Sequence, residues 1–146
     1  MCIRDSAHPM YGKTFSTLGK MLKPISQDSC AFYERTALFS DYDGVANGPD
    51  EGINIAKALG DKEFCILQNH GILTTGSMVD TAVWYFLNME DACKSQLLAE
   101  AVGEPKIIPH ETACATRDYV ANDLSAYVSF QPSIDVLWEE EPDLLD

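Results

Sequence analysis

The sequence predicts a layered α/β domain. Short buried apolar runs alternate with longer segments whose apolar residues recur every three or four positions, which is typical of strands and amphipathic helices. The clearest strands are Phe64–Leu67 and Ile72–Thr75, and the clearest helix runs from Met78 to about Val102. At 146 residues with 46% hydrophobic content, the chain has enough apolar material for one core. We therefore expect a single domain.

The other predicted elements follow from helix and turn signals. Apolar spacing predicts an amphipathic helix from Met10 to Met21, and a strand is expected at Thr36–Phe39. The segment 40–50 is rich in glycine, proline and aspartate, which predicts a loop. A helix should follow from Pro49 to about Leu59, because proline and acidic residues favour a first helical turn.

The C-terminal third is less regular. Gly103-Glu104-Pro105 should end the long helix, and a further helix is expected to start at His110. The segment from Phe130 to Trp138 is aromatic and apolar, and an acidic tail follows it. These signals predict helices but give no function.

Charge and hydropathy exclude several classes of function. The chain has 10 basic and 23 acidic residues and a net charge of −13, which repels nucleic acids and anionic membranes. No apolar run approaches the roughly 20 residues of a membrane span, and the start lacks a secretory signal. We therefore expect a cytoplasmic protein. The cysteines are spaced singly and are interpreted as reduced packing residues: Cys2, Cys30, Cys65, Cys93 and Cys114.

Three histidines are the only candidates for a histidine-based site. His8 lies just before the first predicted helix, and His70 lies in a turn after a buried strand, where side chains often reach a cleft. His110 is expected to face solvent or to cap a helix. From spacing alone, a structural role for His8 and His70 is the commoner case, because no local metal-binding pattern joins them.

Two segments resemble those of a known family. Ala7-His8-Pro9-Met10-Tyr11-Gly12-Lys13 resembles the segment of the class II aldolase and adducin family in which an H-x-H pair precedes a helix. Ile66-Leu67-Gln68-Asn69-His70-Gly71 resembles the turn that carries the third histidine of that family. Residues 24–33 and the helix from Met78 are also similar, so the resemblance spans roughly residues 7–102.

The resemblance implies a fold, an activity and a cofactor. The fold is a three-layer α/β/α domain with a central mixed, largely antiparallel sheet. The activity is that of a zinc-dependent aldehyde-lyase (aldolase) or epimerase acting on a small sugar or sugar phosphate, usually as a homotetramer. Three histidines would hold Zn²⁺ with a fourth position open to substrate. His8 corresponds to the second metal ligand and His70 to the third.

The sequence departs from the family at the first metal ligand. That position is Ser6, and serine binds zinc poorly at neutral pH, so two histidines should hold metal only weakly. The segment Met1–Ser6 matches an in-frame translation of a transposase adapter used in DNA library preparation. We therefore expect native sequence to begin near Ala7, and residues 7–146 to be the C-terminal part of a domain that is incomplete at its N-terminus.

No catalytic or substrate-binding residue is assigned from the sequence. The resemblance places the catalytic glutamate and the phosphate-binding loop upstream of the histidine pair. Tyr11 and Lys13 flank His8 and could line the same cleft, although packing for one and exposure for the other is the simpler expectation. No general base is assigned among four candidate acidic residues, which do not lie at that motif and are expected to be solvated or to cap helices: Asp28, Asp41, Asp43 and Glu51.

A different class of function stays open. Adducin-like members of this family are non-catalytic, actin-associated protein-interaction modules. The retained His8 and His70 favour an enzyme, whereas a native Ser6 would favour the module. An upstream H-x-H pair and glutamate would decide for the enzyme.

Overall fold

The computed structural model describes residues 3–41 and 49–145, with the side chains of residues 8–41 and 52–143. The strands are β1 (Ile3–Ala7), β2 (Thr36–Phe39), β3 (Phe64–Leu67) and β4 (Gly71–Gly76). The α-helices are α1 (Met10–Ser16), α2 (Pro49–Leu59), α3 (Val79–Val102), α4 (His110–Val120) and α5 (Asp123–Glu140). Two short 3-10 helices cover Asp28–Phe32 and Pro142–Leu145.

The four strands form one mixed sheet in the order β1-β4-β3-β2. The β1–β4 and β3–β4 pairs are antiparallel, and the β2–β3 pair is parallel. A parallel pair needs a crossover connection, which α2 supplies between β2 and β3. The predicted mixed, largely antiparallel sheet is confirmed.

Helices cover both faces of this sheet. Because successive side chains of a strand point to opposite faces, Phe64 and Ile66 enter one core and Cys65 and Leu67 enter another. The first core contains Met89 and other residues of α3, and the second is covered by α2. The predicted three-layer α/β/α arrangement is therefore present.

The first helix is shorter than the sequence predicts. We expected it to reach Met21, but α1 ends at Ser16. After it, the N–H groups of Leu18 and Gly19 bond to carbonyls three residues earlier, and Gly19 has a φ of 58°. Glycine adopts this left-handed conformation without steric cost, which stops the helix. Leu18 and Met21 remain 43% and 40% exposed, so their apolar spacing marks no buried helix face.

The remaining predicted elements are found with small changes of boundary. Gly60 follows α2 with a φ of 56°, as expected of a helix stop. The aromatic run from Phe130 falls inside α5, and α4 begins at His110. Residues 42–48 of the predicted loop lie outside the described part of the chain. None of the described helices is long and apolar enough to cross a membrane.

The cysteines agree with the predicted packing role. Cys30, Cys65 and Cys93 are buried and free, and Cys114 is half-buried and free. Cys2 lies outside the described residues. Burial without pairing is expected of cysteines that act as small apolar side chains.

Candidate metal site

The strand register brings His8 and His70 to the same end of the sheet. Ala7 pairs with Ile72 at the end of the β1–β4 ladder, and His8 follows Ala7 directly. His70 lies two positions before Ile72, in the turn that leads into β4. Antiparallel pairing therefore places two histidines from distant parts of the sequence side by side.

The two imidazole rings are close neighbours. Their centroids lie 4.7 Å apart and their planes are inclined by 56°. His8 is exposed and His70 is half-buried, so the pair is open to solvent. Neither ring is sealed in an apolar interior.

A tight turn presents His70. Asn69 has a φ of 59°, a left-handed conformation that asparagine tolerates better than most residues. The N–H of His70 donates to the carbonyl of Leu67 at 2.9 Å and closes the turn. The N–H of Asn69 donates to the carbonyl of Ser16 at 3.4 Å, which ties the turn to the end of α1. The position of His70 is thus fixed by backbone contacts on both sides.

The segment that carries His8 is held by a carboxylate from α3. Helix α1 follows Pro9 and has no side-chain cap of its own. Glu90 accepts hydrogen bonds from the backbone N–H groups of Tyr11, at 2.8 Å, and Gly12. The first N–H groups of a helix have no partner within it, and a negative charge is favourable there. Glu90 therefore caps α1 and fixes the start of the helix beside His8.

The histidine pair fits a divalent metal ion. Two imidazoles that bind one tetrahedral zinc through bonds of about 2 Å have ring centres roughly 5 Å apart. The observed 4.7 Å between the centroids of His8 and His70 is close to that value. Both side chains are of a kind that zinc prefers, while the side chain of Ser6 lies outside the described residues.

The other candidate residues lie in ordinary environments. The side chain of Tyr11 packs against the main core, with the Lys94 ammonium 5.1 Å from its ring, and Lys13 is exposed. Asp28 and Asp41 are also exposed. Asp43 and the side chain of Glu51 lie outside the described residues. Among the described residues, none of these four side chains forms a hydrogen bond or ion pair with His8 or His70.

The role of Glu90 could not be predicted from the sequence. The residue lies on α3 next to Asp91, and its partners in α1 are 78 and 79 positions away. No local pattern signals such a contact. The one relevant signal is Pro9, which has no side-chain oxygen to cap α1. The first N–H groups of that helix therefore need a partner from elsewhere in the chain or from water.

The comparisons with known proteins identify the family. Residues 7–97 match the family described as the Class II Aldolase and Adducin N-terminal domain. The chain is similar to the Decarboxylase NovR of Streptomyces niveus, with 37% identity over 94% of this chain and 51% of that protein. It is also similar to the 4-hydroxy-3-prenylphenylpyruvate oxygenase/4-hydroxy-3-prenylbenzoate synthase of Streptomyces roseochromogenus, with 37% identity over 94% of this chain and 50% of that protein.

Solved structures agree with this assignment. The L-fuculose 1-phosphate aldolase from Glaciozyma antarctica superposes with a TM-score of 0.85 at 38% identity, covering 96% of this chain and 53% of that one. The chain thus spans about half the length of each of these three proteins. On the sequence match and the shared fold, the chain belongs to the class II aldolase and adducin family.

Proposed function

We propose that this chain is part of a longer, metal-dependent enzyme that cleaves or forms a carbon–carbon bond next to a carbonyl group. Within this class of reaction, we favour the activity of an aldolase or epimerase on a small sugar or sugar phosphate. The observation that carries the proposal is the 4.7 Å separation of the His8 and His70 rings. The fold similarity to an L-fuculose 1-phosphate aldolase supports the same class of reaction.

The two histidines are proposed to act as metal ligands. Each supplies a neutral imidazole nitrogen, and each is positioned by its own backbone segment. The Asn69 turn sets the orientation of His70, and the Glu90 cap sets the segment that carries His8. A bound zinc ion would supply Lewis-acid chemistry, polarising a substrate carbonyl and stabilising the enediolate that forms when the bond breaks.

A third ligand and the proton-transfer residue are proposed to lie in sequence upstream of Ala7. We infer from the adapter match that residues 1–6 are not native, and that the native position of Ser6 is the first histidine of the H-x-H pair. The catalytic glutamate of the family would precede it. Supplying this upstream sequence should convert a weak two-histidine site into a tight three-histidine site.

Decarboxylation is a second candidate reaction. Two relatives that match 94% of the chain carry the names of a decarboxylase and of an oxygenase/synthase. Decarboxylation and aldol cleavage both break a carbon–carbon bond and leave negative charge beside a carbonyl, so one metal site can serve either. A third hypothesis is the non-catalytic, adducin-like interaction module, for which the loss of either histidine should not change partner binding.

The decisive experiment uses the complete reading frame. The purified protein would be assayed for aldol cleavage of sugar phosphates and for decarboxylation of 3-oxo acids, with and without a chelator. Because each histidine is proposed to be a metal ligand, His8→Ala and His70→Ala should each abolish the activity, while Lys106→Ala on an exposed connection should leave it unchanged. Full activity in both histidine variants would contradict the proposal.

Size-exclusion chromatography with light scattering would test the expected homotetramer.

A further inference from the structure

A second group of metal-ligating side chains lies apart from the histidine pair. His110 and Cys114 are four positions apart on α4 and therefore share one face of the helix. Glu34, from the segment that precedes β2, approaches the same face. One ligand atom from each of these three residues lies within 4.8 Å of the other two.

The potential ligand atoms of this cluster are close together, but further apart than around a bound zinc ion. The Cys114 Sγ atom is 3.8 Å from His110 Nδ1 and 3.7 Å from a Glu34 carboxylate oxygen. His110 Nδ1 is 3.7 Å from the other carboxylate oxygen of Glu34. Ligand atoms around one tetrahedral zinc are about 3.3–3.6 Å apart, given the usual Zn–S, Zn–N and Zn–O bond lengths. With one ligand atom from each residue, the separations are within 4.8 Å, so side-chain movements of up to roughly 1 Å would complete three bonds.

Neighbouring groups hold these ligands in place. Arg117, one turn further along α4, donates to the Glu34 carboxylate at 3.3 Å and to the Tyr33 carbonyl at 3.4 Å. The Tyr33 hydroxyl lies 3.2 Å from His110 Nδ1. Metal-binding histidines commonly have such a partner on one ring nitrogen, which leaves the other free for the metal. With Tyr33 on Nδ1, the free nitrogen is Nε2, which lies 3.9 Å from the Cys114 Sγ atom.

The chemistry of the donors selects a class of ion. A thiolate and an imidazole favour zinc or cobalt over magnesium or calcium, which prefer oxygen ligands throughout. We propose that Glu34, His110 and Cys114 bind one Zn²⁺ ion, with water in the fourth position. The ion joins α4 to the segment before β2, so its binding stabilises the packing of α4 against the domain.

Cobalt is the probe that distinguishes this site from the histidine pair. Co²⁺ bound to a thiolate gives a near-ultraviolet charge-transfer band, which a site built only from histidines cannot give. The reduced 146-residue chain would be titrated with CoCl₂ alone and its absorption recorded. We expect the band to saturate at one cobalt per chain and to persist in the His8→Ala/His70→Ala variant. No band in the folded wild-type chain, or loss of the band in that double variant, would overturn the proposal.

Matched variants assign the ligands. Cys114→Ser should remove the band, whereas Cys30→Ser should keep it, although Cys30 is near enough to Cys114 to interact with it electrostatically. Glu34→Gln should weaken cobalt binding more than about tenfold, and Glu111→Gln, an exposed neighbour of His110, should not. Circular dichroism verifies that each variant is folded. The reverse pattern in either pair of variants contradicts the assignment.

A stability measurement gives an independent readout of the same site. Because Zn²⁺ would bind the folded chain and not the unfolded chain, it should raise the melting temperature of the wild type. The rise should vanish in Cys114→Ser and remain in the His8→Ala/His70→Ala variant. A rise of equal size in Cys114→Ser would show that the stabilising ion binds elsewhere.

Discussion

The Glu90 carboxylate accepts a hydrogen bond from the backbone N–H of Gly12, although the two residues are 78 positions apart. The other carboxylate oxygen accepts from the N–H of Tyr11. One side chain of α3 thus serves as the N-terminal cap of α1. This contact connects the long helix to the segment that carries His8.

Removal of this cap should destabilise the chain. Glu90→Ala leaves two backbone N–H groups without their partner, and we expect a loss of about 1–2 kcal/mol in the free energy of unfolding. Glu90→Gln should lose less, because its amide oxygen still accepts one bond. Urea unfolding measures both variants. The control is Asp91→Asn, on an exposed neighbouring position, and a loss as large as that of Glu90→Ala would contradict the capping role.

The Asn69 turn should distinguish between substitutions. Asn69 has a φ of 59°, where a β-carbon is unfavourable and glycine is not. Asn69→Ala should therefore lower the free energy of unfolding by about 1 kcal/mol, and Asn69→Gly should lower it less. The two variants would be compared by thermal unfolding. Greater stability of the alanine variant would show that the turn does not impose this backbone conformation.

Helix α3 offers a matched test of the core. Met89 is fully buried between the helix and the sheet, whereas Leu87 on the same helix is 50% exposed. Met89→Ala should cost about 2–5 kcal/mol, because it removes buried methylene groups and leaves a cavity. Leu87→Ala should cost far less. Similar losses in the two variants, measured by urea unfolding, would contradict the assignment of the buried face.

Burial should protect two thiols from alkylation. It raises the pKa of Cys65 from 9.0 to about 11 and that of Cys93 from 9.0 to about 12. Because the pKa is raised, the reactive thiolate is about one part in a thousand or less at pH 8. Iodoacetamide should leave both residues unmodified in the folded chain and modify both in urea. Mass spectrometry locates the labels, and rapid labelling of either residue in the folded chain would contradict its burial.

Much of the fold could be predicted from local sequence patterns. The strands Phe64–Leu67 and Thr36–Phe39 and the long helix α3 have strong local signals, and all three are present. The exception is the end of α1, where apolar spacing continued beyond the helix. There a left-handed glycine at position 19 outweighs the spacing, and the sequence alone does not show which signal prevails.

The candidate sites also contain some residues that could be predicted from the sequence and others that could not. His8 and His70 could be predicted because each lies in a short segment that resembles the family. Glu90 and the Glu34–His110–Cys114 cluster could not, because their partners are brought together only by the packing of helices. Contacts of this kind depend on the tertiary structure, for which local periodicity carries no signal.

The most direct test of the central claim is the position of a zinc ion in a crystal of the complete protein. An anomalous difference map at the zinc absorption edge should contain a peak about 2.1 Å from one ring nitrogen of His8 and from one of His70. Further peaks elsewhere do not affect this outcome. A map from zinc-saturated crystals with no peak between these two rings would contradict the proposed metal site.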